Sequence, residues 1–341
     1  MRFTRRKLLS GAAGAAGVGI LAGCIGGDST ADPESGGSST ADGGSDETVA
    51  AASFFVFGDV ASHVTGDAAE ANLLVPVGQH GHGWEPGPSV REDIHSADLF
   101  VHGMPGFQPW VDEVKGDLEA DDADVTTVDA SAGIDLLSAG DDHDDHDDDT
   151  GDHDDDTGDH DDRSGMDPHF WMDPLRVEEA VGNVRRGLVD VDPDGAESYA
   201  ENAESFRNDL DELHEQLEST VEDASKEVIL VAGHDSLQYF GDRYGVVVEA
   251  LTNVSPDDRP TPRDIERAQE VIATHDLQFI CADPLESQQA AEQLVAETDA
   301  EAVLPLTAMP GLTDEWESDR WGYLEVMENV NLPTLERALD A

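Results

Sequence analysis

The sequence predicts an α/β protein of two lobes, each a parallel sheet flanked by helices, joined by a long helix. Three observations lead there. Short apolar runs alternate with helical segments from residue 48 onward, the order that builds parallel sheets through helical crossovers. One helical stretch, too long for a crossover, interrupts the alternation, which then resumes. The 341 residues suffice for two ordinary domains.

Taken in order, Thr48 to Val56 reads as the first strand. Asn72 to Pro76 and Asp98 to Val101 read as buried strands, with Ser89-Val90-Arg91-Glu92 giving capping-box spacing for a short helix between them. Asp124 to Val128 is a further strand. Residues 141–162 then hold fourteen Asp and four His (His143, His146, His153, His160), with an eight-residue unit at 147–154 repeated at 154–161. No core can form from such a composition, so a mobile Asp/His-rich loop is expected. Asp173-Pro174 reads as a helix start, N-cap then first helical position. Val177, Ala180, Val181, Val184 and Leu188 share a face of that helix, and Asp192-Pro193 breaks it. From about Asp194 to Val221, Ala196, Tyr199, Ala203, Phe206, Leu210, Leu213 and Leu217 recur three and four apart. Such a helix spans about 40 Å at 1.5 Å per residue, the length of two small lobes. Strands follow at 227–232, 245–251, 277–282 and 302–304. Helices are expected from the Thr261 cap to about Thr274, near 287–297 and from Trp321 to Leu339.

Charge excludes several functions. With 77 acidic against 18 basic residues, the net charge is −59, a surface that repels nucleic acid and anionic membranes. A disordered cation-binding chain would have this charge, but not 38% hydrophobic residues in periodic segments. A globular halophilic protein fits better, its carboxylates hydrated and screened by salt. Four of the 18 bases (Arg2, Arg5, Arg6, Lys7) open the chain, and no acid precedes Cys24. Arg5-Arg6 with Lys7-Leu8-Leu9 gives a twin-arginine region, and Ser10 to Gly23 a small-residue stretch too short for a convincing membrane span. Leu21-Ala22-Gly23-Cys24 reads as a lipobox with Cys24 as the lipidated residue. Residues 1–24 are accordingly a Tat-type lipoprotein signal and 25–47 a flexible tether. An uncleaved anchor is the alternative, and both place the body on the outer face of the cytoplasmic membrane. Cys281 is then the one mature thiol, in an apolar strand where packing is its expected role. The remaining divisions are a first lobe at 48–173, connecting helices at 174–225 and a second lobe at 226–341.

Three histidines share one kind of context. His82 follows an early strand, His169 precedes the capped helix, and His234 follows Leu230-Val231-Ala232-Gly233. Ligands in open α/β sheets bind beyond the carboxyl ends of strands, where such loops converge. Gaps of 87 and 65 residues exclude a local zinc finger and suit a site assembled between lobes. Three imidazoles favour Zn(II), with a carboxylate or water as fourth ligand. His63, His95, His102, His214 and His275 are read as structural.

These contexts carry a resemblance. Leu74-Val75-Pro76 through His82-Gly83-Trp84-Glu85-Pro86 to Pro88-Ser89 resembles the first ligand segment of the metal-binding lipoproteins of zinc and manganese ABC importers. Asp167-Pro168-His169-Phe170-Trp171-Met172-Asp173-Pro174 resembles their second segment, and Val231 to Ser236 with Tyr239 and Arg243-Tyr244-Gly245 their third. The resemblance covers about residues 48–341 and extends to the acidic histidine loop. It implies a periplasmic-binding-protein-like fold on a rigid helical backbone. It implies high-affinity capture of Zn(II) as substrate by a monomer, which hands the metal to an ABC permease and its ATPase and is not an enzyme. The three-histidine set resembles the zinc branch; Mn(II) or iron is the alternative within the type. Two departures stand out. His80-Gly81 replaces the Asp-Pro that many relatives carry, so His80 competes with His82. Thr307 stands where the family often has an acid, leaving water or Asp283 to complete the coordination. Rival classes are an exported zinc hydrolase, since three histidines and a water also describe a catalytic site, and a surface protein acting in cell adhesion.

Overall fold

The computed structural model describes residues 47–79, 84–139, 165–256 and 258–341. The first lobe contains β1 (Val49–Ala52), α1 (Phe55–Thr65), β2 (Glu70–Leu73), α2 (Pro88–His95), β3 (Leu99–His102), α3 (Pro109–Ala120) and β4 (Thr126–Asp129). Two helices follow, α4 (Pro174–Val191) and α5 (Ala196–Asp223). The second lobe contains β5 (Val228–His234), α6 (Gln238–Tyr244), β6 (Val247–Thr252), α7 (Pro262–His275), β7 (Phe279–Ala282), α8 (Gln289–Glu297) and β8 (Ala302–Pro305). It closes with α9 (Asp314–Asp319), α10 (Tyr323–Val326) and α11 (Leu332–Leu339).

Each lobe holds a four-stranded, all-parallel sheet, in the orders β2-β1-β3-β4 and β6-β5-β7-β8. The expected fold class is therefore borne out. In both sheets the chain leaves the second strand of the row outward and returns on its other side. The topological switch point thus lies between β1 and β3 in one sheet and between β5 and β7 in the other, the places where open α/β sheets bind ligands.

Four segments differ from the sequence expectation for physical reasons. Strand β2 ends at Leu73 instead of running from Asn72 to Pro76, and it is mostly exposed rather than buried because it lies at the edge of its sheet. The first strand ends at Ala52, and the chain turns into α1 at Phe55. Phe55, Val56, Phe57, Gly58, Val60, Ala61 and Val64 are all buried there, so the helix is apolar almost all round and its period resembles a buried strand. Helix α2 is capped at Gly87 with Pro88 in its first turn, one or two residues ahead of the Ser89 capping box, because Pro favours the first helical position. The closing helix is not continuous from Trp321 to Leu339. A π turn at Met327–Asn331 separates α10 from α11. Pro333 has no N–H to donate and crowds the carbonyl four residues earlier, which a wider turn accommodates.

Helix α5 has 28 residues, about 42 Å at 1.5 Å per residue. Tyr199, Ala203, Phe206, Leu210, Leu213 and Leu217 are buried along one face. That face packs on α1 in the first lobe and on α10 and α11 in the second. Ala50, Ala52, Val101, Phe206, Leu213, Val231, Leu304 and Leu339 consequently belong to one continuous core. Separate clusters fill the outer side of each sheet, around Ile94, Phe100 and Trp110 in one lobe and Leu230, Ile280 and Leu294 in the other.

Candidate metal centre

Asp173 fixes the first of the two histidine segments that the structure describes. Its Oδ1 accepts from Leu175 N at 3.1 Å, capping α4, and Pro174 takes the first helical position. Oδ2 of the same carboxylate accepts from Nε and Nη2 of Arg243, on α6, at 2.9 and 2.6 Å. One N-cap thereby starts a helix and binds the second lobe. Three more hydrogen bonds reach this segment from the second lobe. Trp171 Nε1 donates to Ala308 O at 2.8 Å, Tyr323 Oη to Trp171 O at 2.7 Å, and Tyr239 Oη to Asp167 O at 2.6 Å.

Between these anchors the chain turns through a single 3-10 turn, Phe170–Met172, and presents the fully buried His169. Asp167 Oδ1 accepts both the His169 backbone N–H, at 2.9 Å, and its ring Nδ1–H, at 2.7 Å. This leaves the ring lone pair on Nε2, a tautomer that follows from the hydrogen bonding.

His234 is the last residue of β5 rather than the first of the loop beyond it. The register with β6 slips between Val231 and His234, an irregularity of the kind that re-aims a side chain. Its Nδ1 lies 3.0 Å from Glu286 Oε1, in the loop after β7. His234 and Glu286 therefore flank the β5/β7 switch point. The two Nε2 atoms of His169 and His234 face one another at 3.4 Å. A tetrahedral ion holding both at about 2.0–2.1 Å would space them about 3.3–3.4 Å apart. A carboxylate behind each ring is the usual support for a metal-binding imidazole.

A cavity of about 850 Å³ opens beside His234, lined by Gln79 and Trp84 of the first lobe and by Arg259, Glu286 and Gln289 of the second. Asp235 follows His234 in the chain, and burial pushes its carboxyl up to about 6.

His80, His82, Cys24 and the loop at 141–162 lie outside the described residues. Among the described residues, no group of three or more His, Cys, Asp or Glu gathers in metal-binding geometry. Asp283 is buried, and its oxygens accept from Leu285 N, Thr307 Oγ1 and Ala308 N at 2.8, 2.6 and 3.1 Å. Asn331 clamps Thr307, accepting from its N–H and donating to its carbonyl, both at 2.9 Å. His102 is buried with Nδ1 on Gly103 O, His214 contacts Tyr244 Oη, and His63 stacks on Phe206 beside Asp59. Glu286 has no local sequence signal, since its partner is set by strand order. Asp167 had one, the Asp-x-His spacing.

The fold defines a two-lobed binding protein whose halves share a helical backbone. The chain belongs to the family described as zinc-uptake complex component A, periplasmic (ZnuA), whose model matches residues 51–338. It is 28% identical over 300 residues to the high-affinity zinc uptake system protein ZnuA of Bacillus subtilis, covering 88% of this chain and 90% of that protein. It is 30% identical over 227 residues to the manganese-binding lipoprotein MntA of Halalkalibacterium halodurans, 66% of this chain and 67% of that one. The Zn(II)-bound ZnuA-like domain of Streptococcus pneumoniae AdcA has the same fold, with a TM-score of 0.69 at 24% identity over 86% of this chain and all of that one. So does the laminin-binding protein Lmb of Streptococcus agalactiae, described as an adhesin with metal transporting activity, with a TM-score of 0.71 at 21% identity over 86% and 99%.

Proposed function

We propose that this protein captures Zn(II) as a substrate between its lobes, outside the cytoplasmic membrane, and delivers it to an ABC permease and its ATPase. The carrying observation is the pair of Nε2 atoms 3.4 Å apart, each on a ring backed by a carboxylate. His82 is the third ligand in this reading, with His80 its competitor. Water completes the shell in this reading, with Asp283 supporting the loops through its bonds to Thr307, Ala308 and Leu285.

A donor set of imidazoles favours zinc over manganese, whose preference is for carboxylate oxygen. The imidazole donors outweigh the manganese-binding relative, whose identity to this chain is only slightly higher than that of the zinc uptake protein. Family membership supports transport over zinc-dependent hydrolysis. The adhesin activity of the laminin-binding neighbour stays with that protein. Lipidation at Cys24 after twin-arginine export would tether the body to the membrane. Among the described residues no helix is long and apolar enough to cross one. The four histidines of 141–162 would collect zinc loosely and pass it to the buried site.

Disrupting the gene tests the transport role. Uptake of radiolabelled zinc at submicromolar concentration should be lost and return with the wild-type gene but not with a His169→Ala copy. Unchanged uptake in the disrupted strain would rule the role out.

A further inference from the structure

Glu286 faces His234 from the far side of the switch point. Its Oε1 is 3.0 Å from His234 Nδ1, and its Oε2 stands 3.1 Å from where a Cβ on Gly233 would be. The bare Gly233 backbone thus lets the carboxylate settle close behind the ring. Asp283, the other acid of this loop, is committed to Thr307, Ala308 and Leu285. A carboxylate on Nδ1 holds the proton there and leaves the Nε2 lone pair aimed at His169 Nε2, 3.4 Å away. It also sits behind the ring, on the side opposite the point where an ion would bridge the two Nε2 atoms.

Resting on the reading that His234 ligates zinc, we infer that Glu286 is the positioning residue for that ligand. It fixes the tautomer and aim of His234 and strengthens it as a donor without touching the ion. Asp167 does the same for His169 from two residues away. Glu286 does it from another loop, so the geometry of β5 and β7 is built into the site. Its negative charge stays behind the imidazole, and the donor set keeps its preference for zinc.

Glu286→Ala and Glu286→Gln, made in the full chain and stripped of metal, test this through three readouts. These are zinc affinity by competition with a chromophoric chelator, the visible spectrum of the Co(II) form, and the ring-nitrogen NMR shifts of His234 before metal is added. Zinc affinity should fall 10–100-fold in Glu286→Ala. The loss should be smaller in Glu286→Gln, whose amide oxygen still accepts from Nδ1–H. The Co(II) bands should keep their positions, and His234 should change from a single Nδ1–H tautomer to a mixture in Glu286→Ala. Unchanged affinity in Glu286→Ala would overturn the inference. So would equal losses in both variants with shifted Co(II) bands, which would make Glu286 a ligand. If His234→Ala binds zinc like wild type, the reading of the site falls instead. The His234 tautomer then still tests Glu286, and a mixed tautomer in the wild type counts against it.

Discussion

The ring of His169 has little freedom over which nitrogen it offers. Asp167 Oδ1 holds its Nδ1 and its backbone N–H together, and Asp167 itself is fully buried. Asp167→Ala removes the acceptor that holds Nδ1–H, so zinc affinity should drop 10–100-fold in a chelator competition, with a smaller loss in Asp167→Asn, whose amide oxygen still accepts. Equal affinity would show that the ring needs no such support. Cys281 marks the opposite extreme, a group that chemistry cannot reach. Burial pushes its thiol up to about 12. The folded protein should therefore resist alkylation at neutral pH and react once denatured, as mass spectrometry would show. His169 and His234 were legible in the sequence because each sits in a local context, a capped turn or a strand end. Glu286 was not, since its pairing depends on β5 and β7 being neighbours, a fact of topology.

The elements with the clearest periods are the most legible in the sequence. Helices α4 and α5 stand within a few residues of their sequence expectation, because each buries one stripe and the Asp173 cap and Asp192-Pro193 break are local. Helix α1 was hidden, because a helix buried on nearly every side has no polar face to set its period. Between α4 and α5 lies a pH-sensitive contact. Burial first, and then the nearby Asp211 carboxylate, raise Glu178 to about 7. A carboxyl raised in the folded state costs stability as pH climbs from its ordinary value near 4.5 to about 7, and the cost is complete above that. Glu178→Gln should thus raise Tm at pH 8 and leave it unchanged at pH 4. A Tm difference independent of pH would contradict this. The Asp173–Arg243 contact joins α4 to α6. Removing Arg243 leaves a fully buried carboxylate with the Leu175 N–H cap and, among the described residues, Arg176 at 3.7 Å as its remaining cation. Arg243→Ala should cost about 2–3 kcal/mol by denaturant titration, below the roughly 3–5 expected for a fully buried pair because Arg243 is one-third exposed.

At the scale of the whole molecule, the two lobes are halves of one core more than separate bodies. Helix α5 buries a continuous stripe against both, and the His169 segment is bonded directly to α6, Ala308 and Tyr323. Such wiring favours a fixed spacing of His169 and His234 over wide hinge motion, which suits a site made ready for its ion before it arrives. Sequence charge sets the other global property. A net charge of −59 repels itself in dilute salt. The Tm should therefore rise strongly between about 0.1 M salt, where the Debye length is about 10 Å, and 1 M, where it is about 3 Å. A salt-independent Tm would contradict that account. The two-lobed architecture was legible because alternation and one long period survive in any α/β chain of this kind. The convergence of the histidine loops between the lobes was legible too, from their places at strand ends; the 3.4 Å spacing of the two imidazoles was not, because it depends on how the two sheets meet. The central claim is that His82, His169 and His234 hold one zinc ion. Its most direct measurement is calorimetric zinc titration of the metal-stripped protein in high salt, with residues 141–162 deleted and each histidine changed in turn to alanine. One tight site in the parent, lost in all three variants, is the predicted result; tight binding retained in His169→Ala and His234→Ala would contradict it.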